Sequence, residues 1–474
     1  MQYPIIIQGG MGVGVSDWRL ARAVARTGQL GVVSGTALDQ IFIRRLQQGD
    51  PGGGLREALS HFPDQRMVQA ILETYFIPQG KPARQPFKMT PMLTLNPDKS
   101  RIALIIAAAF ADVFLAKQGH NGKIGINLLE KIQLPNLFSL YGAMLAGVDV
   151  VIMGAGIPVE VPGILDRLSK HQAATMKIDV LGASPDDHFQ MKLDPAAFFP
   201  GSLPDLRRPE FLCIVSSDVL AKVMMRKASG AVNGFIVEGP TAGGHNAPPR
   251  GRLKLNHNNE PVYDDRDLAN LEKIKGLGLP FWLAGSYGRP DRLKEALAFG
   301  ARGVQVGTAF AISEESGFAE ELKTRIKKNI ISRSARVHTD PFASPTGFPF
   351  KIFPLDGSLS EEEEYQKRPR VCDLGYLRHL YKKKDGTVGY RCPAEPIAAY
   401  IQKGGRLEDT RNRKCLCNGL LANLGLAQPL PDKKDMEKEL VTFGDDISFI
   451  AGFIGSEQDS YSASQVVDYL LQEV

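Results

Sequence analysis

The chain has 474 residues, 43% of them hydrophobic and 23% charged, which allows several domains or one large barrel with additions and excludes wholesale disorder. Its 57 basic and 52 acidic residues leave a formal charge of only +5, a small surplus that does not predict the concentrated basic face of a nucleic-acid protein. Five cysteines are too few and too unevenly placed for a disulfide scaffold, so a reducing, cytoplasmic setting is expected.

The N-terminus, Met1-Gln2-Tyr3-Pro4, lacks the charged and apolar regions of a signal peptide. The longest apolar stretch, Ile102 to Ala116, is broken by Asp112 and falls short of the roughly 20 residues that span a bilayer. A soluble protein with no membrane partner is expected.

Pro4-Ile5-Ile6-Ile7-Gln8 reads as a short strand that stops at Gly9-Gly10-Met11-Gly12-Val13-Gly14. Ser16 or Asp17 can cap a helix through Trp18, Leu20, Ala21, Val24 and Ala25, which Gly28 closes. Leu30-Gly31-Val32-Val33-Ser34 supplies the next strand, so the segment is a βα unit feeding a parallel partner. Residues 50 to about 120 are punctuated by Pro and Gly and are expected to form a mostly helical insertion. Strands are then expected at Lys123–Asn127, Val148–Met153, Ile178–Leu181, Phe211–Val215, Gly234–Glu238, Phe281–Ala284 and Gly303–Val306. Helices are expected at Leu220–Lys227 and Pro290–Phe299.

Eight or nine buried strands, each mostly followed by a helix, suggest an α/β fold, a (β/α)8 TIM barrel over residues 1–335, with a doubly wound sheet as its competitor. Beyond about 335 the alternation ends, charge runs appear at Glu361–Glu364 and Lys382–Lys384, and four of the five cysteines gather. Residues 336–474 are expected to be an appended, mainly helical region packed on the barrel.

Two glycine turns near the end of the barrel pattern, Ala284-Gly285-Ser286 and Val306-Gly307-Thr308, each follow a strand. Glycines let backbone N–H groups approach an anion, and the loops after the last two strands are the usual phosphate site of a barrel. Tight turns without a ligand are the plainer reading, and it is the pairing of the two that favours phosphate. In Glu238-Gly239-Pro240-Thr241-Ala242-Gly243-Gly244-His245 a histidine follows a glycine pair just past a buried strand, where barrel enzymes place catalytic groups. His245 can take or hold a proton near neutrality. The remaining histidines form no metal pattern.

Cys372, Cys392, Cys415 and Cys417 follow the pattern C-x19-C-x22-C-x-C. Four thiolates could bind zinc or an iron–sulfur cluster, but the paired CxxC knuckles of a strong zinc signal are missing. Reduced, partly buried cysteines are the simpler expectation, and the metal assignment stays unknown. Cys213, within a buried strand, reads as core.

Taken in order, Gln8-Gly9-Gly10-Met11, Gly125-Ile126-Asn127, Thr241-Ala242-Gly243-Gly244-His245, the turn at Gly285 and Gln305-Val306-Gly307-Thr308 resemble the nitronate monooxygenases, formerly 2-nitropropane dioxygenases, a family of FMN-dependent barrels. The resemblance covers roughly residues 4–318. It implies FMN as cofactor, with the backbone of Gly9, Gly10 and Met11 along the flavin ring and Asn127 hydrogen-bonded to it. Gly285, Ser286, Gly307 and Thr308 would hold the phosphate with Gln305 close by, Gly243 and Gly244 would also approach the cofactor, and His245 would be the active-site histidine. The sequence departs from the family in having Ser286 where a glycine is common, and in its greater length. The insertion at 50–120 could cap the active-site mouth. This long form looks closer to the branch of enoyl reductases found beside polyketide and polyunsaturated fatty-acid synthases.

The leading expectation is nitronate-type oxidation of a carbanion-like substrate by O2. An NAD(P)H-using enoyl reductase acting on an acyl thioester is the alternative, and a non-catalytic flavin-binding partner in a larger complex is a third. A homo-oligomer or a synthase partner would be compatible with any of them.

Overall fold

The computed structural model describes residues 3–332, 336–431 and 435–474. Met1, Gln2 and the expected domain boundary at 335 lie outside the described residues.

Eight parallel strands make the barrel: β1 (Ile6–Gln8), β2 (Gly31–Ser34), β3 (Ile124–Leu129), β4 (Val150–Gly154), β5 (Glu210–Val215), β6 (Gly234–Glu238), β7 (Phe281–Ala284) and β8 (Gly303–Val306). Their order around the sheet is β1-β8-β7-β6-β5-β4-β3-β2, and a parallel bridge between Ile7 and Leu30 closes the ring. The short β1 is extended at that seam by its own side chain, because the carboxamide oxygen of the fully buried Gln8 accepts the Val32 N–H at 2.9 Å.

The near-continuous apolar runs that mark these strands are what a sheet buried on both faces requires. Ile7, Val32, Val150, Ile152, Leu212, Ile236 and Trp282 fill the barrel interior. Val33, Val151, Phe211, Phe235 and Val304 face the opposite way and join the larger core. Trp282 has no exposed surface, and its Nε1–H donates to the Pro4 carbonyl at 2.9 Å.

Local chemistry sets the helix ends. Asp17 caps Trp18–Arg26 by accepting the N–H groups of Arg19 and Leu20, while Ser16 turns its hydroxyl to the Met11 N–H at 2.8 Å. Pro290–Phe299 runs as expected and ends at Gly300, whose φ of +103° is a left-handed stop. The helix expected from Leu220 begins at Asp218, because Ser217 caps it.

Three expectations need correction. The ninth strand candidate, Ile178–Leu181, lies outside the barrel. Val180–Leu181 pairs with His379–Lys382, and the preceding Ala174–Lys177 pairs antiparallel with Gln190–Leu193. Its alternation of buried Ile178 and Val180 with polar or exposed neighbours marks a one-sided strand, whereas the barrel strands are buried on both sides.

The insertion at 50–120 is shorter than expected. Lys99–Lys117 packs on the barrel and against helix Gln133–Leu145, so closely that a Cβ on Gly142 would lie 2.2 Å from the Ile106 carbonyl oxygen. That burial accounts for its apolar surface all round. Gly54–Ser60 and Gln65–Tyr75 remain as inserted helices.

The C-terminal region is helical only in part. Helices Glu362–Lys367, Ile397–Gln402, Leu416–Ala422 and Ala463–Leu471 are joined by two antiparallel strand pairs, His338–Asp340 with Phe350–Ile352 and His379–Lys382 with Val388–Arg391, and by long loops. Buried ion pairs anchor it. Arg368 meets Glu437 inside the region, and Asp39 of the barrel side takes both Arg101 at 2.6 Å and the Tyr376 hydroxyl. Among the described residues no helix is long and apolar enough to cross a membrane.

Candidate active site

A cavity of about 480 Å³ opens at the C-terminal ends of the barrel strands. Gly9, Gly10 and Met11 after β1, Asn127 on β3, and Gly243, Gly244 and His245 after β6 all line it. So do Gly285 and Ser286 after β7, Gln305 at the end of β8, and Gly307 and Thr308 beyond it. The residues that the resemblance assigns to the cofactor and His245 are therefore brought to one space. The insertion is not: none of residues 50–120 lines the cavity, so it does not cap the mouth. The wall there comes from the C-terminal region, through Phe350, Tyr376, Leu416, Leu420, Phe443 and Phe449.

The floor is built from close approaches. Asn127 Nδ2 donates to the Gly10 carbonyl at 3.0 Å, and a Cβ on Gly10 would lie 2.2 Å from the Asn127 Cβ. Asn127 Oδ1 is buried and has no partner among the described residues. An unpartnered buried acceptor is costly unless a ligand satisfies it.

The two glycine turns differ in detail. Gly285 and Ser286 both hold left-handed backbone, with φ of +94° and +59°. Ser286 thus keeps the backbone shape that a glycine would adopt there. The backbone N–H groups of Gly285, Ser286, Gly307 and Thr308 have no partner within the described chain, whereas the Thr308 hydroxyl accepts the Gly444 N–H at 3.0 Å.

The Gly243-Gly244 pair serves the chain as well as the cavity. A Cβ on Gly243 would lie 2.9 Å from the Gly444 nitrogen, and Gly244 takes a hydrogen bond from Lys351 N while donating to Thr442 Oγ1. The loop carrying His245 is thereby clasped by the C-terminal region. His245 Nε2 lies 2.7 Å from Ser344 Oγ, which is itself 2.8 Å from Thr346 Oγ1, and the Phe350 ring packs edge-on against the imidazole. The loop Ser344–Pro349 thus fixes the histidine. Nε2 is occupied, so Nδ1 is the nitrogen left for a substrate. Burial pushes the imidazole down to about 4, so it is neutral at physiological pH.

Glu238 also belongs to the site, although no motif marks it in the sequence. It ends β6, lines the same cavity, and has no hydrogen-bond partner among the described residues. Burial pushes its carboxyl up to about 7. Its signal was present: a lone acid closing an otherwise apolar strand, seven positions before His245. Ser344→Ala, which frees Nε2, is expected to lower the kcat/KM of a reaction that His245 serves roughly fivefold, the scale of about 1 kcal/mol for one hydrogen bond. Steady-state kinetics of both proteins checks this.

Comparison with known proteins bears on this site. Residues 210–337, spanning β5 to β8 and including His245 and both glycine turns, match the family model for nitronate monooxygenase. The resemblance to that family thus falls on the half of the barrel that carries His245 and both glycine turns. A curated relative, (3aS,4S,5R,7aS)-5-hydroxy-7a-methyl-1-oxo-octahydro-1H-indene-4-carboxyl-CoA dehydrogenase of Mycobacterium tuberculosis, is 29% identical over 112 residues, 24% of this chain and 28% of that protein. The match thus spans little more than a quarter of the relative's length. FabK from Thermotoga maritima aligns over 100% of this chain and 93% of its own, with 16% identity and a TM-score of 0.47. Nitroalkane oxidase from Streptomyces ansochromogenes aligns over 100% and 96%, with 16% identity and a TM-score of 0.42.

Proposed function

We propose that the protein is an FMN-dependent oxidoreductase that oxidises a nitronate or a similar carbanion-like substrate at the expense of O2. The observation that carries the reading is the convergence in one cavity of a flavin-sized cradle and a neutral, hydrogen-bonded histidine. The cradle fits FMN on two counts: the unpartnered Asn127 Oδ1, and the free N–H groups of Gly285, Ser286, Gly307 and Thr308. FMN supplies a ring that takes two electrons from a substrate and passes them to dioxygen.

The chain's own residues would do the rest. Backbone N–H groups after β7 and β8 would hold the phosphate, and Asn127 would orient the ring. His245, held through Nε2 by Ser344, presents Nδ1 as a base for the proton on a carbon beside an electron-withdrawing group. The apolar wall from Phe350, Leu420 and Phe443 excludes water.

Glu238 gives the site a second proton-holding group and sets a pH dependence. Its carboxyl is neutral below about 7 and ionised above. An anionic nitronate is repelled by the ionised form, so kcat/KM is expected to fall as pH rises through about 7. Glu238→Gln, neutral at every pH, should remove that limb. A pH profile of both proteins on a nitronate checks it, and an unchanged limb in the variant would place its origin elsewhere.

Glu238 also favours a second reading, NAD(P)H-dependent reduction of an enoyl thioester, because a carboxylic acid neutral near pH 7 can protonate the substrate carbon. The carboxyl-CoA named for the curated relative suits this class of substrate. Anaerobic mixing separates the two. Bleaching of the flavin by a nitronate, with NADPH inert, is the expected result; bleaching by NADPH alone would move the assignment to the reductase.

A further inference from the structure

The four C-terminal cysteines, scattered over the chain from 372 to 417, meet in space. Cys372, Cys392, Cys415 and Cys417 all line one small interior cavity whose remaining walls are mostly apolar, among them Val371, Leu374 and Ala394. Cys392 and Cys415 are buried, and none of the four forms a disulfide. The thiols of Cys372 and Cys392 lie side by side.

Hydrogen-bond donors and cations gather around these sulfurs. The Ala394 N–H faces the Cys392 sulfur, the Asn418 N–H faces Cys415, and the N–H groups of Tyr376 and Leu377 face Cys417. Asn418 Nδ2 also donates to Cys415 Sγ at 3.7 Å. Arg378 stands beside Cys372 and Cys392, and Arg368 beside Cys415. A thiol is a weak acceptor and asks for none of this, whereas N–H groups aimed at metal-bound sulfur are the usual second layer of such centres.

The form of the site selects among metals. A zinc ion would draw four sulfurs to about 2.3 Å from one point. Among the described residues no group of three or more His, Cys, Asp or Glu side chains is gathered in that way. An iron–sulfur core instead spreads its thiolate ligands over a cage of iron and sulfide, a ligand set that four cysteines lining one cavity can supply.

We propose that Cys372, Cys392, Cys415 and Cys417 are the ligands of an iron–sulfur cluster that ties three separate segments of the C-terminal region together behind the active-site wall. Leu377, Leu416 and Cys417 line both this cavity and the large one, so the cluster sits one layer of side chains from the catalytic space. The assignment does not rest on the proposed reaction or on FMN.

The test uses the full chain, produced with added iron and purified without oxygen, and reads iron, zinc and acid-labile sulfide per chain. The expected result is iron and sulfide in equal amounts, about two to four of each, with an EPR signal after dithionite reduction. Cys372→Ser and Cys415→Ser should each lose at least half of both, while Cys213→Ala, altered in the barrel core, keeps them. Where a serine variant does not fold, alkylation of the native chain before and after anaerobic iron chelation replaces it, with four thiols expected to become reactive. Zinc without sulfide, metal at background, or iron unchanged in both serine variants would overturn the proposal.

Discussion

His245→Ala is expected to lower kcat/KM on a neutral nitroalkane by about 10²–10⁴-fold, the usual contribution of a positioned general base. The corresponding nitronate has already lost that proton, so the same variant should lose far less on it. The asymmetry follows from geometry. Nε2 is engaged by Ser344 at 2.7 Å, Nδ1 is free, and burial holds the imidazole neutral down to about pH 4. A neutral ring with one lone pair available is a base at any pH at which the protein would be assayed. Flavin content should not change, because none of the backbone groups assigned to the phosphate belongs to this residue. Parallel assays on the two substrate forms check the claim, and equal losses on both would assign His245 to binding.

Trp282→Ala is expected to cost about 3–5 kcal/mol of stability, the range for truncating a large buried aromatic. The indole is the largest fully buried side chain and sits in the barrel interior against Ile7, Leu212 and Ile236. Its loss also removes the hydrogen bond to the Pro4 carbonyl at 2.9 Å, which holds the entry to β1. Since β1 is three residues long and closes the ring through one bridge and the Gln8 side chain, weakening its entry should open the barrel at that seam. Trp282→Phe, which keeps most of the volume, should lose less. Denaturant unfolding of the three proteins gives the order, and Phe as damaging as Ala would show that the hydrogen bond outweighs the packing.

The barrel was legible because its strands are apolar on both faces and its turns are punctuated by glycine. All eight strands and the helix Pro290–Phe299 could be found from pattern alone. What escaped was whatever depends on distant chain. Ile178–Leu181 resembles a barrel strand until its partner, His379–Lys382, is known. Gly243 was read as room for a ligand, yet the backbone at Phe443 and Gly444 also presses against it, 200 residues away in sequence. The same holds for Ser344 on His245: no spacing rule connects residues 99 positions apart. Glu238 stands out in no sequence pattern, because a single acid at a strand end carries no motif and only burial in the folded cavity gives it chemistry.

The central claim is that this cavity holds FMN, and the most direct measurement is the flavin released by denaturing the protein after reconstitution, in the native chain and in Gly10→Ala. The account predicts about one FMN per native chain and a marked loss in the variant, whose new Cβ would lie 2.2 Å from the Asn127 Cβ and force that side chain off the ring site. A native chain that stays colourless and takes up no FMN would contradict the claim and, with it, both catalytic readings of the site.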